Sequence, residues 1–238
     1  MTNDKPVQTQ NSPGAVATSA DVDAFLANIR QHRSSDAGGG TGRLIFGLDA
    51  TASRESTWDA ACQLQAEMFR EVSGISSLNI QLLYYRGISE CKASRWTSRP
   101  DDLLRLMEGI MCRAGKTQLS KVLAHAKKET QLLKVAALVF VGDAMEENPD
   151  TLIPDAGTLG RLGVPIFMFQ EGGDRAVEEA FRQIASYSHG AYCRFDAGAA
   201  KQLAGLLKAV ALYAVGGVKA LEGRTDAASV KLISQLGS

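Results

Sequence analysis

The feature that most limits how this chain can fold is a series of short apolar runs, several of which end on glycine or aspartate. "RLIFGLD" (43–49), "LNIQLLYYRG" (78–87), "KVAALVFVGD" (134–143), "VPIFMFQ" (164–170) and "GAYCRF" (190–195) are all of strand length, and the strongest, "VAALVFVG", has no polar face at all. A strand without a polar face must be covered on both sides. The intervening segments supply the covers. "TWDAACQLQAEMFREV" spaces Trp58, Cys62, Leu64, Met68, Phe69 and Val72 as a helix does, and "DDLLRLMEGIMCR" does the same with Leu103, Leu104, Met107, Ile110 and Met111. Further helices are expected over "QLSKVLAHAKKET", after Pro149, over "DRAVEEAFRQIASYS" and over "AAKQLAGLLKAVALYAVGGV". Strands alternating with helices in this way predict an α/β fold of three layers: a doubly wound, mainly parallel central sheet with helices on both faces. "CKASRWTS" (91–98) reads as a short polar-edged strand paired to the 78–87 run, which gives the sheet one antiparallel edge strand. Ligands of such sheets gather beyond the carboxyl ends of the strands, and Asp49 and Asp143 both stand at such ends.

The alternation begins near Arg43, so the 238 residues divide into an N-terminal arm (1–41), one domain (42–220) and a C-terminal extension (221–238). The arm is polar and ends in "GGGTG"; Val22, Phe25, Leu26 and Ile29 share one face of a short amphipathic piece within it, which either docks or stays solvated. With 26 basic and 26 acidic side chains the chain has no charge excess calling for nucleic acid or a membrane surface. Its apolar runs fall far short of the roughly 20 residues that span a bilayer. The first twenty residues lack the basic start, apolar block and cleavage site of a secretory signal, so a cytoplasmic location is expected. Cys62, Cys91, Cys112 and Cys193 are widely separated and form no CxxC pair, which predicts reduced, structural thiols.

"DATAS" places Asp49, Thr51 and Ser53 in one tight loop, and Asp143 adds a second carboxylate from a strand that could lie beside the first. Hard oxygens in that mixture suit Mg²⁺ or Mn²⁺, with Ca²⁺ also within range. A third loop, "AGKTQL", offers Thr117 at a helix start. Taken together the set resembles the metal-ion-dependent adhesion site of von Willebrand factor A (VWA) domains: Asp-x-Ser-x-Ser, a distant Thr, then a distant Asp. The resemblance covers about residues 42–216 and implies a Rossmann-like VWA fold of a stand-alone bacterial type. It implies that Thr51 and Ser53 bind the metal through their hydroxyls, Thr117 directly or through water, and Asp49 and Asp143 partly through waters. It also implies a non-catalytic module in which the metal captures a Glu or Asp of a partner protein. The sequence departs from the pattern at Thr51, which keeps the hydroxyl of the usual serine and adds a methyl.

Other readings of the same residues remain open at this level. Thr51 or Ser53 could cap the following helix. A haloacid-dehalogenase-type phosphohydrolase also begins with an apolar strand ending in aspartate, making Asp49 a nucleophile and Asp143 a Mg²⁺ holder, although a helix pattern starting at once leaves no room for that family's cap. A phosphate loop at "GIMCRAGKT" fails on spacing, since Gly109 and the Gly-Lys-Thr are separated by five residues where four are needed. Glu146 and Glu147 either close the metal site or form an acidic rim. "YYRGISECKASRWTS" groups Tyr84, Tyr85, Arg86, Arg95 and Trp96 as either a docking face or a buried strand edge. His125 and His189 are expected to serve packing or the surface rather than chemistry.

Overall fold

The computed structural model describes residues 42–59, 62, 78–195, 205 and 208–216. The N-terminal arm with Val22, Phe25, Leu26 and Ile29, most of the helix expected over 57–72, and the C-terminal extension lie outside these residues. Six strands form one sheet: β1 (Gly42–Asp49), β2 (Leu78–Arg86), β3 (Glu90–Ala93), β4 (Ala137–Gly142), β5 (Ile166–Glu171) and β6 (Ala191–Phe195), in the order β3-β2-β1-β4-β5-β6. All neighbours run parallel except β3, which pairs antiparallel to β2 at the edge. Every residue of β1 and β4 is buried, as their unbroken apolar character requires of strands covered on both faces.

Alternate side chains of β1 feed two cores. Leu44, Phe46 and Leu48 pack with Leu103 and Met107 of α1 (Pro100–Glu108) and with Val210 and Tyr213 of the helical residues 208–216. Ile45 faces the other way, toward Val122 and Leu123 of α2 (Leu119–Leu132), Leu152 and Leu159 of α3 (Pro149–Arg161) and Phe181 and Ile184 of α4 (Arg175–Tyr187). Phe140 of β4 stacks on Tyr85 at 6.0 Å and meets the edge of Phe181 at 5.8 Å. Burying each such Leu or Phe contributes about 1.5–3 kcal/mol. The two cores hold the sheet between its helical layers. β1 starts against the backbone of residues 214 and 215, so that a Cβ on Gly42 would strike the Ala214 carbonyl.

The helix starts follow the capping rules. Asn148 accepts a bond from the Asp150 amide ahead of α3, with Pro149 in the first turn, and Asp174 accepts from the amides of Ala176 and Val177 ahead of α4. The expected helix over 101–113 is shorter than its apolar spacing suggests, ending at Glu108 with Gly109 as its cap. The residues beyond it are drawn out by pairing: the Arg113 amide donates to the Ala50 carbonyl at 3.1 Å. Ile110 stays buried without being helical, while Met111, expected on the core face, is 68% exposed.

The order of strands positions the site. From β1 the chain moves first to β2 and β3 on one side, then to β4 on the other, so β1 and β4 flank the point where the winding reverses. In open sheets of this kind ligands bind at that point, beyond the carboxyl ends of the strands.

Candidate metal centre

At the end of β1 Asp49 is 0% exposed. Both of its carboxylate oxygens are held: Oδ1 accepts from the Thr51 amide at 2.8 Å and Oδ2 from the Tyr85 hydroxyl at 2.8 Å. The strand cannot run on, because Ala50 donates its amide to the Tyr85 carbonyl and accepts from the Arg113 amide while the chain turns into a short 3-10 segment at Ala52–Arg54. That turn brings the alternate hydroxyls together. Thr51 Oγ1 and Ser53 Oγ lie 3.0 Å apart, and Ser53 Oγ donates to Asp143 Oδ1 at 3.1 Å. Thr51 occupies the N-cap position of the turn but makes no side-chain capping bond, so capping does not account for its hydroxyl.

Thr117 joins from the opposite loop. Its hydroxyl accepts from the Glu146 amide at 3.0 Å, and its own amide donates to Glu146 Oε2 at 2.6 Å. The turn after β4 thereby carries Asp143 on one side and grips Thr117 on the other. Of the five expected residues, Asp49, Thr51, Ser53 and Asp143 form one continuous bonded chain, and Thr117 is tied to it through the 143–146 segment.

Three groups here were not singled out for these roles by the sequence. Tyr85, grouped with a docking face, is 0% exposed and anchors Asp49, its register partner across the β1–β2 ladder. Arg54 is also fully buried; Nη1 donates to the Asp49 carbonyl at 2.8 Å, Nε pairs with Glu171 at 3.0 Å, and Nη2 has no hydrogen-bond partner among the described residues. Glu146 and Glu147 neither rim the site idly nor turn into it. Glu147 accepts from the amides of Leu119 and Ser120, so the two carboxylates cap the start of α2, whose own N-cap, Gln118, makes no side-chain capping bond.

Burial pushes the Asp49 carboxyl above its ordinary range, countered by the hydrogen bonds from Thr51 and Tyr85 and reinforced by the nearby negative charge of Asp143. Trp96 is half-buried: its ring lies 3.9 Å from the Arg43 guanidinium and its Nε1 donates to Glu129 at 2.9 Å, the buried-edge arrangement rather than the docking one. His125 is half-buried on Gln81 at 2.8 Å. All four cysteines are free, and burial raises Cys62 and Cys112 to about 11.

No protein-family model and no curated protein matches this sequence. Solved structures do match. The SpRpn10 VWA domain aligns at 12% identity and a TM-score of 0.57, over 69% of this chain and 94% of that one. An aerotolerance-related membrane protein from Bacteroides fragilis aligns at 17% identity and 0.54, over 71% and 99%. A von Willebrand factor type A protein from Catenulispora acidiphila aligns at 11% identity and 0.59, over 71% of this chain and 42% of that one. The fold is that of von Willebrand factor A domains.

Within the VWA fold, the donor chemistry can be tested against a cation. Ligands about 2.0–2.1 Å from an octahedral Mg²⁺ stand about 3 Å apart along an edge. The Thr51–Ser53 and Ser53–Asp143 separations of 3.0 and 3.1 Å are compatible with that spacing and are equally those of ordinary hydrogen bonds. Among the described residues no three His, Cys, Asp or Glu side chains gather into a metal-holding group. The candidate set of this VWA fold holds only two carboxylates and relies on hydroxyls for the rest, a mixture suited to hard cations and unsuited to zinc.

Proposed function

We propose that this chain is a non-catalytic, metal-dependent protein-interaction module, in which Mg²⁺ (or Mn²⁺ or Ca²⁺) held by Asp49, Thr51, Ser53, Thr117 and Asp143 engages a Glu or Asp of a partner protein. The observation that supports the reading is the hydrogen-bonded run of oxygens Thr51–Ser53–Asp143, brought together from two loops at the point where the sheet's winding reverses. When bound, the cation supplies an electrophilic position to which a partner carboxylate can bond. The chain's residues set that up. Thr51 and Ser53 offer neutral hydroxyls, so little negative charge lies against the cation. Asp49, with both oxygens already accepting hydrogen bonds, stiffens the loop and contributes charge from behind. Thr117 is fixed by Glu146 at a distance set by the 143–146 turn.

The same burial argues against Asp49 as a phosphoryl-transfer nucleophile, since a carboxylate that is wholly enclosed and doubly hydrogen-bonded has no open path of attack. No helix among the described residues is long and apolar enough to cross a membrane. Four free cysteines suit a reducing compartment, which supports a cytoplasmic setting.

Thermal melts of the full chain with and without MgCl₂ or MnCl₂ test the metal. The wild type is expected to melt higher with the cation, by mass action on the folded state, and Ser53→Ala and Asp143→Ala are expected to lose that rise. Affinity capture with and without EDTA, wild type against Asp143→Ala, tests the adhesion. Equal recovery in all four samples sinks it, and metal-dependent turnover of p-nitrophenyl phosphate would restore the enzymatic alternative.

A further inference from the structure

One strip of surface beside the candidate metal centre combines exposed apolar and basic side chains. Here the segment 111–116 runs alongside the β2–β3 turn. Arg86 donates to the Met111 carbonyl at 2.8 Å, the Gly87 amide to the Arg113 carbonyl at 3.4 Å, and the Lys116 amide to the Gly87 carbonyl at 3.4 Å. The approach is close enough that a Cβ on Gly115 would collide with the Gly87 backbone. This strip abuts the metal loop directly, for Thr51 and Arg113 form a β-bridge.

Two properties mark the strip. It carries two exposed large apolar side chains, Ile88 at 88% and Met111 at 68%, one on each of the two paired segments. A single exposed apolar residue is ordinary; here two stand on adjoining segments beside the candidate ligand position. The strip is also basic: residues 86–93 and 111–121 contain Arg86, Lys92, Arg113, Lys116 and Lys121 and a single acid, Glu90. Arg86 and Lys92 are engaged by Glu90, and Lys121 by Ser89 and Gln118. Arg113, 60% exposed and only 3.8 Å-loose to Glu90, and the exposed Lys116 are left facing outward. The acidic turn 143–150 adjoins the end of the same strip, where Glu146 and Glu147 are taken up by the amides of Thr117, Leu119 and Ser120.

Resting on the metal-dependent reading above, we propose that a partner chain leaves the metal over the surface formed by Ile88, Met111, Arg113 and Lys116. Its recognised segment carries one acidic residue for the cation, a large apolar residue within a few positions for Ile88 and Met111, and further acidic residues for Arg113 and Lys116. Arg113 and Lys116 attract the acidic residues of such a segment, and Ile88 and Met111 set its register.

A random dodecapeptide phage library panned on the immobilised full chain, in Mg²⁺ and in EDTA, tests this. Expected in Mg²⁺ are peptides that combine acidic residues with a large apolar one. The consensus peptide, synthesised with a fluorescent label, should bind Ile88→Ser/Met111→Ser about tenfold or more weakly, and Arg113→Glu/Lys116→Glu likewise. Both double variants change exposed positions, and circular dichroism confirms that they fold. Acid-only consensus peptides, or binding by both double variants equal to that of the wild type, overturn the strip; so does the absence of enrichment in every sample. The same consensus recovered equally in EDTA, with the losses intact, upholds the strip and overturns the metal reading.

Discussion

Tyr85 shows how much a single hydroxyl can carry. Its ring belongs to the apolar face that packs on Phe140, and burial together with the adjacent Asp49 carboxylate raises its pKa well above the ordinary value, so it stays a donor. Tyr85→Phe keeps the ring and strips the 2.8 Å bond from Asp49 Oδ2. A buried carboxylate oxygen left without a partner costs about 1–3 kcal/mol, and urea denaturation of the metal-free chain should show a loss of that size. An unchanged midpoint would mean that the oxygen finds another donor. Asp49, Thr51 and Ser53 were legible as a group because alternate hydroxyls after a strand-ending aspartate are unusual chemistry. Tyr85 was not, because its role follows from the register that sets it opposite Asp49, and register is a property of two strands at once.

At the scale of elements, β1, β4 and β5 were readable because they lack a polar face, and the edge strand β3 because it has one. The end of α1 was misjudged for a related reason: apolar spacing continues to Ile110 and Met111, but the backbone of Arg113 is claimed by Ala50, a partner far away in sequence. The roles of Glu146 and Glu147 were hidden in the same way, since the amides they satisfy lie 27 to 29 positions upstream. These carboxylates do for α2 what its own Gln118 does not. Glu147→Ala should therefore destabilise the chain by about 0.5–2 kcal/mol, the range of a lost N-cap, and hydrogen exchange should quicken first at Leu119 and Ser120. Uniform exchange along α2 in the variant would assign Glu147 a different role. Because the Glu146–Thr117 pair shares this turn, α2 and the candidate centre are anchored by one loop.

Across the whole molecule, the Arg54–Glu171 pair fastens the loop after β1 to the end of β5, two strands away in the sheet. The layered architecture could be foreseen from alternation alone; a fully buried arginine in "DATASR" could not, because its countercharge sits 117 residues downstream. Glu171→Ala leaves the guanidinium enclosed without a balancing charge. The expected loss is about 3–5 kcal/mol by chemical denaturation, whereas a neutral outcome would show that water reaches Arg54.

The placement of β1 also bears on how the protein would meet mechanical load. The chain enters β1 at Gly42, against residues 214 and 215, while the candidate partner position lies at the strand's opposite end, past Asp49. A pull applied between the two ends of β1 acts along the strand, which is laddered to β2 over eight register pairs and to β4 over five. Tension along a strand held on both sides acts on its hydrogen bonds in shear, so many must fail together, whereas peeling from an edge would break them one at a time. A strand paired on both sides therefore resists a pull along its own axis better than an edge strand would.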